Sequence, residues 1–388
     1  MRARTGGCAE TLAIQPDLPT WPMKFTTSRE NLLTPLQQVI GVIERRQTLP
    51  ILSHVLIKLR DNRLELTGTD LEMQLVTEST TESGEDGEIT VPARKLLDIC
   101  RLLPERSRVS ADCRQDKFAI QCGRSRFSLS TLPASNFPEF DTSTPVVELS
   151  ISGRLLRKAM EKTLFAMALQ DVRYYLNGLM LGVEGVMLRT VASDGHRLAL
   201  YEEALENGSP QRCQVIVPRK GALEVYRLIG DDDQRITLQI ASNNVRFFFG
   251  NLTFSTKLIE GRFPDFQRVM PRDISKMITL DKEAFKAALT RVSILSNEKY
   301  RGLSLEVDGS IMRLTAQNPE CEEAEEEIEV RLDGVGVAAS FNAAYLLDAI
   351  SNVDSEQVKL SFNDAANSCL IEDTEDQKFR FIVMPMRL

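Results

Sequence analysis

Histidine and tryptophan are scarce in this 388-residue chain, which contains two histidines and one tryptophan. A histidine-rich zinc centre needs more ligands than His54 and His196 can supply. The phosphate-binding pattern G-x-x-x-x-G-K-[ST], the zinc motif H-E-x-x-H and the nucleophile motif G-x-S-x-G are also missing. We therefore predict no metal and no cofactor, and these gaps argue against several common classes of enzyme.

Paired cysteines are missing as well. The chain has seven cysteines, an odd number, and none of them forms a C-x-x-C pair. Scattered, unpaired cysteines are typical of reduced thiols in the cytoplasm rather than of a disulfide framework or a zinc site.

Long hydrophobic runs are absent, since no apolar run approaches the roughly 20 residues that a membrane-spanning helix needs. The chain length predicts two to three domains of roughly 150 residues each. Residues 1–22 contain three prolines and lack the apolar core of a secretory signal. We predict that 1–22 is a disordered N-terminal tail and that regular structure begins at Met23.

The net charge of −8 argues, taken alone, against nucleic-acid binding, which usually requires a basic face. The charges are unevenly distributed, however. Acidic residues are concentrated in 82–88, 230–233 and 320–329, whereas basic residues are concentrated in predicted helices. A basic surface is therefore compatible with the negative net charge of the whole chain.

Three kinds of segment recur in the same order along the chain. Helical spacing of apolar residues appears in TTSRENLLTPLQQVIGVIERR, SISGRLLRKAMEKTLFAM and TLDKEAFKAALTRVSILSNE, and again in VPARKLLDICRLLP, VPRKGALEVYRLIG and SFNAAYLLDAISNV. Thr27 and Glu30 are predicted to form a capping box, and Pro92 and Pro218 suit a first helical turn. Strand-like segments close each unit.

The spacing between equivalent residues is constant. It is 124 residues between Asp70, Asp194 and Asn318, and 127 residues between Phe127, Phe254 and Phe381. We predict three repeated units at 23–146, 147–272 and 273–388. Each has two helices and several short alternating strands, which indicates an α+β fold with helices packed on antiparallel sheets.

The segment "VASDGHRLAL" (191–200) resembles an active site, because an acid and a histidine lie between two apolar stretches. Its equivalents in the other two units lack the histidine, and the third also lacks the acid. Asp, Asn and Gly favour turns for backbone reasons. A strand-to-strand turn is therefore favoured for Asp194–His196, with a catalytic pair as the alternative.

The order of TLPIL, LTGTDLEMQL, VPARK, RSRFSLSTLP, QDVRYYLNG, DGHRLA, VPRKG, LSNEKYRG and VMPMRL closely resembles the bacterial sliding clamp family, the beta subunit of DNA polymerase III. The resemblance extends from Met23 to Leu388. It implies a protein without enzymatic activity, in which three repeated clamp domains per chain and two chains per ring, joined head to tail, surround duplex DNA. It also implies DNA polymerases, mismatch-repair proteins and a clamp loader as partners.

A ring that slides needs weak, sequence-independent attraction to phosphates, which a basic lining provides. Candidates on the helical segments are Arg45, Arg46, Arg94, Arg154, Arg157, Lys158, Lys162, Arg219, Lys220, Lys282, Lys286 and Arg291. The resemblance favours Arg46, Arg219 and Lys220 among these, and it adds Gln170, Tyr174 and Tyr175 from a loop that contacts DNA in the family. Solvated helix faces are the alternative for the basic residues, and core packing is the alternative for the tyrosines.

The carboxyl-terminal segment FIVMPMRL carries two methionines, whose flexible side chains suit an adaptable binding surface. The resemblance implies a cleft between the second and third units that binds a short motif of partner proteins. Its predicted walls are Leu176, Ser193, Gly195, His196, Arg197, Leu198, Pro264, Val269, Ile382, Met384, Pro385, Met386 and Arg387. Plain core packing is the alternative for the two methionines.

The resemblance further implies contact between the first unit of one chain and the third unit of another. Predicted residues of this dimer interface are Lys95, Arg124, Arg126, Phe127, Leu129, Ile294, Leu295, Glu322, Glu323 and Glu326. Two rival functions stay open on the residues alone, namely an enzyme that uses Asp194 and a scaffold that never meets nucleic acid.

Overall fold

The computed structural model of the chain describes residues 23–44, 49–114, 116–141, 143–230, 233–271, 274–363 and 368–387. The predicted tail 1–22 and the predicted basic residues Arg45 and Arg46 lie outside these ranges. The described residues divide into two compact units, one formed by those within 23–69 and 76–138 and the other by those within 70–75 and 139–387.

Helices occur in pairs along the described chain, as the repeated segments predict. Their bounds are α1 Arg29–Val39, α2 Ala93–Leu102, α3 Gly153–Glu161, α4 Arg219–Leu228, α5 Lys282–Val292 and α6 Ala343–Ser351. The first helix of each pair directly follows a short strand, and Pro92, Pro218 and Asn342 stand immediately before the second. None of the described helices is long and apolar enough to cross a membrane.

Strands make up most of the remaining regular structure. Before α3 they are β1 Lys24–Ser28, β2 His54–Arg60, β3 Arg63–Thr69, β4 Met73–Thr80, β5 Ser83–Glu85, β6 Gly87–Pro92, β7 Arg108–Arg114, β8 Lys117–Cys122, β9 Ser125–Ser130 and β10 Val147–Ser152. Between α3 and α5 they are β11 Gly178–Ser193, β12 Arg197–Pro218, β13 Arg235–Ile240, β14 Asn244–Phe249, β15 Leu252–Lys257 and β16 Lys276–Asp281. After α5 they are β17 Gly302–Asp308, β18 Ile311–Gln317, β19 Glu323–Glu329, β20 Arg331–Asp333, β21 Val337–Asn342, β22 Gln357–Phe362, β23 Cys369–Asp373 and β24 Phe379–Val383.

Antiparallel pairing organises these strands. The first unit contains the runs β5-β1-β7-β8-β9 and β4-β3-β2-β6. In the second unit, β10, β13, β14 and β15 follow one another, and β19-β18-β17-β21 form a four-stranded sheet. A seven-stranded sheet, β11-β12-β24-β23-β22-β16-β20, joins strands from the second and third repeats, because β24 pairs with both β12 and β23.

Side chains cap four of the helices. Ser28, Ser152, Asp281 and Asn342 each accept a hydrogen bond from a backbone N–H in the first turn, which satisfies groups that the helix itself leaves unpaired. The predicted capping box of Thr27 and Glu30 is therefore wrong by one residue. Strand β1 continues through Ser28, so Thr27 instead donates to the Thr80 carbonyl at 2.9 Å.

The helices bury one face each. In α2 the buried residues are Ala93, Leu96, Leu97 and Cys100, and in α5 they are Phe285, Ala288, Leu289 and Val292. Burial of each large side chain contributes about 1.5–3 kcal/mol, so packing of the apolar face supplies most of the stability of these short helices.

Lys158 of α3 and Lys162, the residue that follows α3, contact acids of the third repeat. Lys162, whose side chain is 3% exposed, donates to the Asn352 carbonyl and pairs with Asp354, and its ammonium lies 4.5 Å from the Phe379 ring centre. Lys158 pairs with Asp376 at 3.0 Å. The interpretation of Lys162 as a basic residue open to a ligand is wrong, because its charge is buried in this contact.

Asp373 organises the loops that hold these acids. Its carboxylate accepts hydrogen bonds from the backbone N–H groups of Asp354, Ser355, Glu375 and Asp376 at 2.7–3.0 Å. Burial by itself would raise the pKa of this carboxyl, but the bonds from backbone N–H groups outweigh it and lower the pKa to about 2.

Candidate functional site

The turn between β11 and β12 is held by Asp194. Its Oδ1 accepts hydrogen bonds from the backbone N–H groups of His196 at 2.9 Å and Arg197 at 3.0 Å. Gly195 lies between them with φ +86°, a left-handed conformation that glycine adopts without strain. One oxygen of the Asp194 carboxylate therefore stabilises the backbone of the turn.

The same turn occurs in the first repeat, and a related one occurs in the third. Asp70 Oδ1 accepts from the N–H groups of Glu72 and Met73, and Leu71 occupies the left-handed position with φ +78°. Asn318 Oδ1 accepts from the N–H of Glu322 at 2.9 Å. These bonds confirm that the three evenly spaced residues lie in turns at corresponding places, and that the first two turns share one hydrogen-bond pattern.

Arg197 joins this turn to two other elements. Its guanidinium pairs with Asp194 at 3.0 Å and with Asp348 of α6, and it donates to the Phe165 carbonyl at 2.8 Å. The same group lies 4.6 Å from the ring centre of Tyr345. The side chain of Arg197 is only 13% exposed, so its main contacts are these bonds, which connect the second and third repeats.

His196, the residue before Arg197, is exposed. Its ring stacks on Tyr345 with 6.3 Å between ring centres and an interplanar angle of 19°. Its carbonyl accepts a hydrogen bond from the Met384 N–H at 2.9 Å. Burial, to which the nearby Asp194 carboxylate adds, raises the pKa of Tyr345.

The carboxyl-terminal segment is fixed by backbone bonds. After β24 the Met384 N–H bonds to the turn, and the Met386 N–H donates to the Ser340 carbonyl of β21 at 2.7 Å. Met384, Pro385 and Met386 are half-buried, and Arg387 is exposed. The methionines are thus presented at a surface by a fixed backbone.

An apolar cluster lies where these elements meet. It consists of Ala168, Leu176, Met180, Val191, Leu198, Leu200, Ile216, Phe263, Leu370 and Ile382. Half-buried side chains pack against it and form what we call the apolar rim: Tyr175, Ile259, Phe266, Val269 and Met270.

The structure separates the predicted cleft residues by depth. Leu176, Leu198 and Ile382 are at most 5% exposed and form part of the cluster. Val269 belongs to the rim, whereas Pro264 is exposed in the loop before it. Ser193 is half-buried, and its hydroxyl donates to the Arg197 carbonyl at 2.7 Å.

Sequence reasoning omitted several residues of this region. Phe266 and Met270 belong to the rim, and Tyr345 stacks on His196. The spacing of the apolar residues Phe263, Phe266 and Met270 in the sequence could have indicated Phe266 and Met270. Tyr345 carries no such signal, since its contact with His196 bridges a large sequence separation.

The predicted DNA loop lies next to the turn. Gln170 is exposed with φ +57°, and Tyr174 is 57% exposed, whereas Tyr175 belongs to the apolar rim. The structure therefore gives the two adjacent tyrosines different surroundings.

Arg173 fastens this loop to the turn. It pairs with Asp171 at 2.8 Å and donates to the Asp194 carbonyl at 3.1 Å. The hydrogen bond from Arg173 lowers the pKa of Asp171 to about 2.

The predicted basic residues differ in exposure and in the groups of the chain that they bind. Arg94 is half-buried and donates to the Ile43 carbonyl at 2.9 Å, and Arg219 donates to the Met167 carbonyl at 3.1 Å. Lys220 is exposed and pairs with Asp70 at 2.5 Å.

The predicted interface residues lie in helix α2, in and just before strand β9, in the turn after α5, and in and just before strand β19. Lys95, Arg124, Arg126 and Glu323 are exposed, Phe127 is 36% exposed and Ile294 is 75% exposed, whereas Leu295 is half-buried. Glu322 is exposed and accepts from the Asn318 side chain at 2.6 Å. Two of the predicted residues have contacts within the chain. Leu129 is 9% exposed and packs into its own unit, and Glu326 is bound by Arg291 of the same chain.

Three family models of the DNA polymerase III beta subunit match successive parts of the chain. The N-terminal domain matches residues 23–141, the central domain 150–265 and the C-terminal domain 267–387. The chain belongs to the DNA polymerase III beta subunit family. Members of this family are sliding clamps, which are processivity factors without catalytic activity, so Asp194 and His196 are not a catalytic pair.

Sliding clamps of known bacteria are similar over almost the whole chain. The beta sliding clamp of Pseudomonas aeruginosa is 46% identical, and that of Escherichia coli K12 is 45% identical, each over 94% of this chain and 100% of the relative. A crystal structure of the P. aeruginosa clamp with ligand superimposes with a TM-score of 0.92 at 46% identity, covering 94% of this chain and 100% of that one. A P. aeruginosa clamp bound to griselimycin gives 0.91 at 46% identity, with the same coverage.

Proposed function

We propose that two copies of this chain close head to tail into a ring around duplex DNA, and that each copy holds replication proteins by short peptides at the apolar rim. The observation that carries this proposal is the succession of three clamp domains across 23–387. We assign the domains to 23–146, 147–272 and 273–388, since β1, β10 and β16 each begin a strand–helix unit near these boundaries.

The apolar rim supports the peptide role. Tyr175, Val269 and Met270 leave part of their apolar surface open above a buried cluster, which is the arrangement of a small apolar binding site. The half-buried Met384 and Met386 stand beside it on a fixed backbone, and methionine adapts to varied partners. DNA polymerases, mismatch-repair proteins and a clamp loader are the partners that we propose for it.

Weak attraction to DNA is supported by exposed polar and basic groups. Lys220 and Gln170 offer a charge and an amide to phosphates, and the exposed ring of Tyr174 can stack on a base. Because the ammonium of Lys162 is buried against Asp354, we exclude Lys162 from this role. Lys220 and Lys158 each have an acidic partner but keep part of the side chain exposed. The free cysteines of the described chain agree with a place in the cytoplasm.

Head-to-tail pairing is supported by charge and by strand order. β9 is the outer strand of its sheet, with Arg124 just before it and Arg126 within it, whereas β19 is the outer strand of another sheet and carries exposed glutamates. An unlike pair of outer strands can join across two copies, with Phe127 and Ile294 as the apolar part of the contact. A contact of this kind closes into a ring when the rotation between copies fits.

Topological retention on DNA tests the ring. The protein is loaded on a nicked circular plasmid with a bacterial clamp loader and ATP, and the complex is isolated at 0.5 M NaCl. We expect the protein to stay on the circle and to leave after a restriction enzyme linearises it, since a closed ring can slide off an end.

The control is the same plasmid with a tightly bound protein on each side of the restriction site, so that both ends are blocked when the plasmid is cut. Retention should then return. Loss from circular DNA at high salt would instead indicate a simple electrostatic contact, and no association with either form would indicate a scaffold that never meets DNA.

A further inference from the structure

An open groove of about 800 Å³ lies in the second unit, beside the apolar rim. Its floor is the part of the β11–β12 hairpin around Gly182 and Gln214, and one wall is the loop 262–268. The volume is within the range of roughly 300–1,000 Å³ that is usual for ligand sites.

The groove continues the apolar surface. Met180 and Phe263 belong to the apolar cluster, Phe266 belongs to the apolar rim, and all three also line the groove. Pro264, the only predicted cleft residue among the groove-lining residues, stands between the two regions. A chain segment that leaves the rim on this side enters the groove directly.

Charge distinguishes the groove from the rim. Four arginines line it, whereas only two acids do; these are Arg189, Arg212, Arg262, Arg268, Glu184 and Asp265. Glu184 lies 2.8 Å from Arg189 and 3.6 Å from Arg212, so one carboxylate is shared by two cations. Arg189 also pairs with Glu202, which lies outside the lining, and Asp265 pairs with Arg268 at 3.2 Å. The remaining excess of positive charge therefore lies on Arg212, Arg262 and Arg268, on a chain whose net charge is −8.

The mixture of charges favours a peptide over a nucleic acid. A polyanion such as single-stranded DNA requires a continuous cationic track for its phosphates, and Glu184 and Asp265 would face that track with like charge. One or two carboxylates on an otherwise neutral segment instead find arginine partners in the geometry that guanidinium groups prefer.

We infer that this groove is a second contact for the partner peptides of the apolar rim, and that it binds an acidic segment next to the apolar anchor of the peptide. The inference rests on the proposed function, because it requires the anchor to occupy the rim. Each exposed arginine–carboxylate pair adds little, so the expected gain for two pairs is about five- to tenfold in Kd.

The test uses fluorescein-labelled synthetic peptides that carry the clamp-binding motif of a bacterial DNA polymerase. The motif is extended at its amino end, or at its carboxyl end, by four glutamates, by four lysines or by Gly-Ser-Gly-Ser. Fluorescence anisotropy at 0.1 M NaCl gives each Kd. We expect the glutamate extension at one end to tighten binding five- to tenfold over Gly-Ser-Gly-Ser, and the gain to shrink at 0.5 M NaCl.

Charge reversal in the groove identifies the place of contact. The double variant Arg212→Glu, Arg262→Glu should lose the glutamate gain and keep the Kd of the unextended motif, which also reports that the protein is folded. The matched control Arg235→Glu reverses an exposed arginine elsewhere in the same unit and should keep the gain.

Two results overturn the inference while leaving the proposed function intact. One is binding of the motif with no gain from glutamates at either end. The other is a labelled 15-residue oligothymidine that binds wild type and loses affinity in the double variant, with no glutamate gain, which would assign the groove to nucleic acid. Failure of the unextended motif to bind would refute the peptide role of the rim, and this inference with it.

Discussion

Asp373 is a single carboxylate on which two loops depend, because it accepts four backbone N–H bonds. Its pKa is about 2 in the folded chain and 3.8 in an unconstrained one. A carboxyl whose folded pKa is depressed adds stability above the unfolded pKa and loses it as the pH falls through the folded pKa. The contribution of Asp373 is therefore complete above about pH 4 and disappears between pH 4 and pH 2.

We predict that Asp373→Asn lowers the free energy of unfolding by about 2 kcal/mol at pH 7, and that the gap to wild type closes as the pH falls from 4 toward 2. Urea unfolding at several pH values, followed by circular dichroism, measures this gap. Asp308→Asn changes an exposed carboxylate of the same repeat and should leave stability unchanged at each pH. A gap for Asp373→Asn that does not vary with pH would contradict the assignment.

At the scale of single residues, the sequence identified positions better than partners. The constant spacing located Asp70, Asp194 and Asn318 in turns at corresponding places, because turn chemistry is local and depends on side-chain type. It could not distinguish Tyr174 from Tyr175, since their different surroundings arise from tertiary packing. It could not reveal the ion pair of Glu326 with Arg291 for the same reason, since the two residues lie 35 positions apart in sequence.

At the scale of elements, the carboxyl-terminal end of α3 is joined to the third repeat by two lysines. The buried ammonium of Lys162 satisfies the Asn352 carbonyl and the Asp354 carboxylate, whereas the Lys158 side chain is 37% exposed. Removing a buried partner leaves unsatisfied groups and a cavity, which costs about 2–4 kcal/mol, while an exposed pair contributes up to about 1 kcal/mol.

We predict that Lys162→Ala lowers the Tm by about 5 °C or more and that Lys158→Ala lowers it by about 2 °C or less. Differential scanning calorimetry gives both values. A companion measurement of duplex DNA binding at 50 mM NaCl should be unaffected by Lys162→Ala. Weaker DNA binding with an unchanged Tm would restore Lys162 to the basic lining.

Element order was predictable because it follows from hydrophobic periodicity. Two helices per repeat and a closing strand that contains Phe127, Phe254 or Phe381 appear as predicted. Boundaries were less predictable where neighbours compete, as at Thr27 and Ser28, since both residue types cap helices and only the pairing of β1 with β7 decides between them.

For the whole molecule, two exposed apolar residues support the proposed contact between copies. Ile294 is 75% exposed and Phe127 is 36% exposed, in separate units of the chain. Burial of an isoleucine side chain contributes about 1.5–3 kcal/mol, which exceeds what one rim ion pair gives.

We predict that Ile294→Ala raises the dissociation constant of the dimer by about tenfold or more, as measured by sedimentation velocity over a dilution series. Val335→Ala is the matched control, because Val335 is 68% exposed in the same repeat and lies outside the proposed interface. An equal effect of the two substitutions, or a wild-type protein that is monomeric at all concentrations, would argue against the ring.

The burial pattern of β19 restricts how copies can join. Its residues 323, 325, 327 and 329 are exposed glutamates, whereas the residues between them are half-buried. Two such strands repel each other, and so do two β9 strands with their arginines, so that like ends do not associate. In the proposed ring, each copy therefore uses β9 toward one neighbour and β19 toward the other. Charge then selects which surfaces meet, whereas the rotation between copies sets how many copies close the ring.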